Sequence, residues 1–313
     1  MRSLCLPMLF VVCSLACSNG EKKGGVLNPL SPSPSTPPAP SVSSDSAIFV
    51  GAGDIAQCSG PSGTAATTSL VEQYAQSGLV FTTGDNVYPY GSIELYKECF
   101  DKYWGRFKPR IRPTPGNHDL GADLRGEPGY FDYFGAVAGP AGLGYYSFEY
   151  GSWVAFALNS ETSMRQGSPQ WTWLEAELER YRGIKCQIAY WHRPLFTSGF
   201  VSGPSPDTRP LWNLLYQYKV ELILNGHEHL YERFAPQSPS GIADPLGIRQ
   251  FTVGTGGMTL YPFRGGSPNI QRQFSIHGIL VLTLAEDRYD WQFVSINNSV
   301  LDDSAGQENL CNF

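Results

Sequence analysis

Gly226-His227-Glu228-His229-Leu230-Tyr231-Glu232-Arg233 follows the apolar run Leu222-Ile223-Leu224, and it decides how the rest of the chain is read. A hydrophobic strand that ends in a Gly turn delivers its next side chains to the carboxyl edge of an α/β sheet, where shared sites form. Alternate residues of an extended stretch face the same way, so His227 and His229 can address one site together. Two histidines on one loop also arise by chance, so the weight comes from four blocks upstream.

Those blocks are Gly53-Asp54, Gly84-Asp85-Asn86-Val87-Tyr88, Gly116-Asn117-His118-Asp119 and Trp191-His192. Of the five histidines in the chain, four (His118, His192, His227 and His229) fall inside the blocks, which scattered core histidines would not do. Carboxylates, imidazoles, an amide oxygen and a phenol together suit two hard to borderline cations held close together. Asp54 taken alone reads as an ordinary turn residue bonding its own backbone. Asp85 is better supported, because Tyr88 follows at a spacing that can put carboxylate and phenol on one cation. Asn117 offers an amide oxygen, and His118 is free to donate a proton instead of binding metal.

The chain of 313 residues, 42% of them hydrophobic, is long enough for one large core. Its net charge of −6 argues against nucleic acid or an anionic membrane surface as the main partner. An anionic substrate would have to be attracted by local metal charge.

Residues 1–17 carry Arg2, a short apolar run through Leu9-Phe10-Val11-Val12, and Ala16 before Cys17. This reads as a secretory signal, its apolar run too short to span a membrane. Ser14-Leu15-Ala16-Cys17 resembles a bacterial lipoprotein cleavage box, although Leu stands one place nearer the Cys than usual; ordinary signal cleavage is the alternative. Residues 18–46 are rich in Ser, Pro and Gly and read as an extended tether, followed by a catalytic domain over 47–313. The expected location is therefore exported: anchored to a bacterial membrane only through a lipid on Cys17, or else secreted or periplasmic. The body contains Cys58, Cys99, Cys186 and Cys311, which allow two disulfides in three pairings. Cys58 with Cys99 and Cys186 with Cys311 is favoured, the first joining segments that flank the site and the second pinning the C-terminus; free buried thiols are the alternative.

From residue 47 onward β-type runs alternate with helical segments. Strands are expected at Ala47 to Gly51, Leu79 to Thr83, Gln187 to Tyr190, Leu222 to Leu224, Phe251 to Val253, Ile279 to Leu284 and Trp291 to Ile296. A hairpin is expected around Tyr150-Gly151. Helices are expected at Thr64 to Gln76, at Ile93 to Phe107, and from Ser168-Pro169, an N-cap followed by Pro at the first helical position. The fold class is α/β (α+β by some schemes), two packed mixed sheets with helices outside.

Taken in order, the five blocks resemble the calcineurin-like metallophosphoesterase superfamily and, within it, the purple acid phosphatases. The resemblance extends over roughly residues 47 to 300 and implies a four-layer αββα sandwich. It also implies roles: Asp85 as the bridging carboxylate, Asp54, Tyr88 and His229 completing one metal site, and Asn117, His192 and His227 the other. Many superfamily members carry a ligand His two residues after the first Asp; here Ala56 stands there. In the purple branch a phenolate, here Tyr88, takes that place and favours Fe(III), paired with a divalent Zn, Fe or Mn. The loop Arg193 to Pro210 lacks the histidines of plant members, which leaves Arg193 and Arg209 as candidates for phosphate, or as plain surface charges.

The implied activity is hydrolysis of small-molecule phosphate monoesters by direct attack of metal-bound hydroxide, with His118 as proton donor and no phosphoenzyme. A phosphodiesterase on the same metal site, or an inactive metal- or phosphate-binding protein, is the alternative.

Overall fold

The computed structural model describes residues 46–59, 62–120, 129–183 and 185–312. The segment 1–17 expected to be a signal, and all of the expected tether 18–46 except Ser46, lie outside these residues. Two sheets pack face to face. The first runs, in spatial order, Val300–Asp303, Tyr289–Ser295, Gly278–Leu284, Ala47–Ala52, Leu79–Thr83 and Ile111–Thr114. Its last three strands are parallel and the others pair antiparallel. The second runs Ile270–Phe274, Tyr231–Phe234, Arg249–Val253, Leu222–Asn225, Cys186–Tyr190, Trp153–Ala157 and Tyr146–Tyr150. The four strands from Arg249–Val253 to Trp153–Ala157 are parallel, so Cys186–Tyr190 and Leu222–Asn225 deliver their following loops to one edge.

Period-two alternation explains the layering. In the fully buried strand Trp153–Ala157, Trp153, Ala155 and Ala157 face the inter-sheet core with Phe49, Phe251 and Trp291. Val154 and Phe156 face the opposite way, onto Leu174 and Leu178 of the helix Pro169–Tyr181 and Leu211, Leu214 and Leu215 of Arg209–Gln217. Aromatic rings fill the gap between sheets: Phe49 meets Tyr190 at 5.7 Å and Tyr231 stacks on Phe293 at 3.9 Å. A large-to-small change at a site such as Leu178 would cost about 2–5 kcal/mol. On the outer side of the first sheet, Leu70 and Val71 of the helix Thr64–Tyr74 are buried. The αββα sandwich of two mixed sheets is thus the observed architecture.

Local elements differ in places. Ser168 Oγ accepts the Trp171 amide at 3.3 Å and caps its helix as expected. The expected helix over Ile93 to Phe107 is broken into an α turn Ile93–Leu95, a π turn Tyr96–Phe100, an α turn Asp101–Tyr103 and a 3-10 stretch Trp104–Arg110. Pro109 interrupts the last piece, and the wider π turn carries Tyr96 to Asp119 and Cys99 to Cys58. Both favoured disulfides, Cys58–Cys99 and Cys186–Cys311, are formed. Among the described residues no helix is long and apolar enough to cross a membrane.

Candidate metal centre

The strand Leu79–Thr83 ends at Gly84, and the turns after it and after Ala47–Ala52 are zipped together. The amides of Asp54, Ile55 and Ala56 each donate to the carbonyls of Gly84, Asp85 and Asn86 at 3.0 Å. A short parallel pair, Ala56–Gln57 with Val87–Tyr88, continues the ladder and brings the Tyr88 ring beside Asp54. Ala56 is buried and offers no donor atom; the Tyr88 phenol supplies one from the paired strand. Asp54 (φ 57°), Asp85 (φ 49°) and His227 (φ 73°) all adopt the left-handed region that non-glycine residues avoid. Three strained residues at one sheet edge mark a place where side-chain direction outweighs backbone comfort. Gly84 (φ 83°) is required for the same reason, since a Cβ there would stand 2.7 Å from that of His192.

The structure brings all seven of the metal-type donors together. Tyr88 Oη lies 2.8 Å from Asp54 Oδ1, 2.9 Å from Asp85 Oδ2 and 3.2 Å from His229 Nε2. His229 Nε2 is 3.2 Å from Asp54 Oδ1. On the other side of Asp85, His192 Nε2 stands 3.2 Å from Asp85 Oδ2, 3.2 Å from Asn117 Oδ1 and 3.1 Å from His227 Nδ1. The remaining ring nitrogens are fixed by backbone carbonyls, which can only accept: His192 Nδ1–H donates to Thr83 at 2.8 Å and His229 Nδ1–H to Thr259 at 2.7 Å. Both Nε2 atoms therefore face the site with their tautomer set.

Electrostatics point the same way. Burial opposes ionisation of Asp54 and Asp85, yet neighbouring imidazoles hold both carboxyls below their ordinary range. Burial opposes charging His192, but Asp85 outweighs it and pushes the imidazole up to about 10. His227, buried beside His192 and Arg193, is pushed down to about 3. Burial and the two carboxylates raise the Tyr88 phenol well above its usual value. This is a site that asks for positive charge. One N–H on His192 cannot serve the acceptors crowded round it, whereas cations can take all these lone pairs at once and displace the phenolic proton. The donor set fits two cations sharing Asp85, and Asp85, His192 and His227 alone put ligand atoms within 4.8 Å of one another.

His118 occupies the mouth. Its backbone amide donates to Asp85 Oδ1 at 2.8 Å, its ring lies 4.4 Å from that of Tyr88, and its side chain is 38% exposed. His118 Nδ1–H donates to the Pro89 carbonyl at 2.6 Å, and Nε2 is 3.9 Å from Asp85 Oδ2. The two arginines part company. Arg193 reaches His227, with Nη1 3.1 Å from Nε2, whereas Arg209 is bonded to the Pro239 carbonyl on the surface.

Sequence reasoning gave no role to several supports. Asp119 accepts the Gly116 amide at 2.9 Å, the Asn86 side-chain amide at 2.9 Å and Tyr96 Oη at 2.5 Å, and so locks the turn that carries Asn117. Glu228, between the two histidines, accepts the amides of Ser202 and Gly203 and ties down the loop that follows His192. Glu161 grips Arg193 in a fork-to-fork pair at 2.8 and 3.0 Å. Asp119 lay inside a quoted block; Glu161 carried no local signal.

With this geometry in hand, comparison with known proteins is specific. The calcineurin-like phosphoesterase family model matches residues 48–231. Purple acid phosphatase 13 of Arabidopsis thaliana is 29% identical over 184 residues, covering 54% of this chain and 33% of that protein. Purple acid phosphatase 21 of the same plant is 33% identical over 117 residues, covering 36% of this chain and 26% of that protein. The chain thus spans about a third or less of the length of these relatives. In fold, it is similar to a purple acid phosphatase from yellow lupin (Lupinus luteus) seeds, with a TM-score of 0.69 at 21% identity over 86% of this chain and 54% of that one. It is also similar to a dimetal phosphatase from Danio rerio, with a TM-score of 0.56 at 13% identity over 82% of this chain and 97% of that one.

Proposed function

The chain belongs to the calcineurin-like phosphoesterase family, and from that premise we propose that it is an exported phosphatase that hydrolyses phosphate monoesters at a dinuclear centre of the purple acid phosphatase type. The observation that carries this is the Tyr88 phenol set between the Asp54 and Asp85 carboxylates at 2.8 and 2.9 Å. Asp54, Tyr88, His229 and Asp85 would hold one cation, and Asp85, Asn117, His192 and His227 the other. A phenolate is a hard donor, which suits Fe(III) in the first position beside a divalent Zn, Fe or Mn in the second. Bound there, the cations supply the water activation and charge neutralisation that phosphoryl transfer needs.

The chain's own groups do the rest. Thr83 and Thr259 hold the imidazoles of His192 and His229 in one tautomer, so no reorganisation is required as substrate enters. Asp119 keeps the Asn117 turn rigid. His118, with Nδ1–H committed to Pro89, has Nε2 left to carry a proton to the leaving oxygen, the role of a general acid.

Two disulfides in the body are consistent with an oxidising, exported location. A lipid on Cys17 and a tether over 18–46 would hold the catalytic domain, 47–313, clear of a membrane. Cys17→Ser should then release the protein from the membrane fraction; wild type recovered wholly in the soluble exported fraction refutes the anchor.

The test of the activity is a panel of p-nitrophenyl phosphate and bis(p-nitrophenyl) phosphate with metal-loaded and chelator-treated protein. Monoester turnover that is lost on chelation and restored by metal is expected. A diester preference refutes the monoester assignment, and full metal content without turnover on either ester refutes the enzyme.

A further inference from the structure

Arg193 is the residue after a proposed ligand, and its guanidinium is already aimed. Its Nε and Nη2 donate to Glu161 at 2.8 and 3.0 Å, which fixes the plane of the fork. Glu161 is itself held: its amide donates to Asn159 Oδ1 at 2.8 Å, and Gln170 grips the Asn159 backbone, accepting from its amide at 2.7 Å and donating to its carbonyl at 2.9 Å. The backbone amide of Arg193 donates to Ser160 Oγ at 3.2 Å. Only Nη1 is left to face the site, 3.1 Å from His227 Nε2, and the side chain is 30% exposed while Glu161 is 11% exposed. A surface charge would not be anchored through a buried chain of this kind; Gln170 is 1% exposed and Asn159 4%.

The proton inventory adds a direction. His227 turns Nδ1 toward His192, so a cation held there would take the Nδ1 lone pair and leave the ring proton on Nε2. Nη1 of Arg193 has only N–H groups to offer. Two donors would then face one another, which leaves the Nη1 hydrogens free for another acceptor beside His227.

We propose that Arg193, positioned by Glu161, binds a terminal phosphate oxygen of the substrate and so selects monoesters over diesters. This rests on the phosphatase assignment above. A monoester keeps its terminal oxygens unesterified and carries the larger charge, whereas a diester has one of those positions esterified. A fixed guanidinium donor is suited to the first.

The experiment uses the metal-loaded, full-length protein and its Arg193→Gln, Arg193→Lys and Glu161→Gln variants. Metal content is measured, inorganic phosphate binding is followed by calorimetry, and kcat/KM is compared for p-nitrophenyl phosphate and bis(p-nitrophenyl) phosphate. Arg193→Gln should keep both metals and weaken phosphate binding by about 10- to 100-fold, the range for one charged hydrogen bond. The monoester should lose about as much in kcat/KM, and the diester less than about threefold. Arg193→Lys keeps charge but not the fork, and should weaken phosphate binding by roughly tenfold; it decides the matter if Arg193→Gln does not fold. Glu161→Gln should fall between wild type and Arg193→Gln, as expected of a positioning residue. Phosphate affinity within twofold of wild type in both Arg193 variants, or equal losses on both esters, overturns the proposal. A wild-type protein that takes up neither metal nor phosphate overturns the phosphatase assignment and this proposal with it.

Discussion

Replacing Tyr88 with Phe removes one oxygen from the centre and keeps the ring that packs there. That oxygen stands 2.8 Å from Asp54, 2.9 Å from Asp85 and 3.2 Å from His229, and the residue is 3% exposed. Two effects follow, and they can be separated. In chelator-treated protein the phenol is protonated, because burial and the two carboxylates raise it well above its ordinary value. Its single O–H then donates to a charged acceptor, a bond that contributes about 1.5–3 kcal/mol. At roughly 2–4 °C per kcal/mol for a domain of this size, Tyr88→Phe should lower the metal-free melting temperature by roughly 3–12 °C. In the loaded and oxidised protein the phenolate should give Fe(III) a visible charge-transfer band, and Tyr88→Phe should abolish it with the fold intact. The assays are thermal unfolding after chelation and a visible spectrum after reloading. A variant that melts like wild type and keeps the band refutes the placement of Tyr88, and a colourless, fully loaded wild type refutes the purple type.

His118→Ala should slow hydrolysis of alkyl phosphates about 10²–10⁴-fold, and of p-nitrophenyl phosphate far less, with both metals retained; equal losses in steady-state assays exclude it as the proton donor. Removing the Cys186–Cys311 bridge, whose cysteines are 125 residues apart, should destabilise the protein by up to about 5 kcal/mol on the loop-entropy model, read by denaturant unfolding. Beside that bridge, Glu221 accepts the Gln187 amide at 2.6 Å and the Asn312 amide at 2.8 Å, and burial pushes its carboxyl from 4.5 up to about 7. The folded state therefore keeps a proton that the unfolded chain releases: the stabilisation is full below pH 4.5 and is lost as pH rises to about 7. At about 1.4 kcal/mol per pH unit this is on the order of 3 kcal/mol, and Glu221→Gln should flatten that part of the stability curve. An unchanged slope assigns it to other groups.

Much of the site was legible because strand ends advertise themselves. Leu79 to Thr83 and Leu222 to Leu224 are short, uncharged and led by apolar residues, with Gly84 and Gly226 soon after them, so the residues that follow had to lie at a sheet edge. Other elements were obscured by their own chemistry. Ile270–Phe274 is a half-exposed edge strand of sequence Ile-Gln-Arg-Gln-Phe, whose polarity hides its pairing. Tyr231–Phe234 carries Glu232 and Arg233 into the interior, which only partners far away make tolerable: Ser198 for the first and Asp302 for the second. Arg209–Gln217, a well-formed helix, begins at Arg209-Pro210 straight after a Pro-rich loop and was not anticipated. The break between Ile93 and Arg110 depends on where Tyr96 and Cys99 must reach, and the Glu161–Arg193 pair joins residues 32 apart. No local pattern announces either.

The most direct test is the metal stoichiometry of the purified, reloaded chain, measured by elemental analysis beside monoester hydrolysis, for wild type and for Asp85→Asn. Two cations per wild-type chain, one of them iron, with turnover that disappears on chelation and returns with metal, is the expected result. Asp85→Asn should lose cation and turnover together, because this carboxylate is shared by both positions. A wild type that binds one cation or none, or that hydrolyses the monoester at full rate after its metals are stripped, contradicts the dinuclear centre.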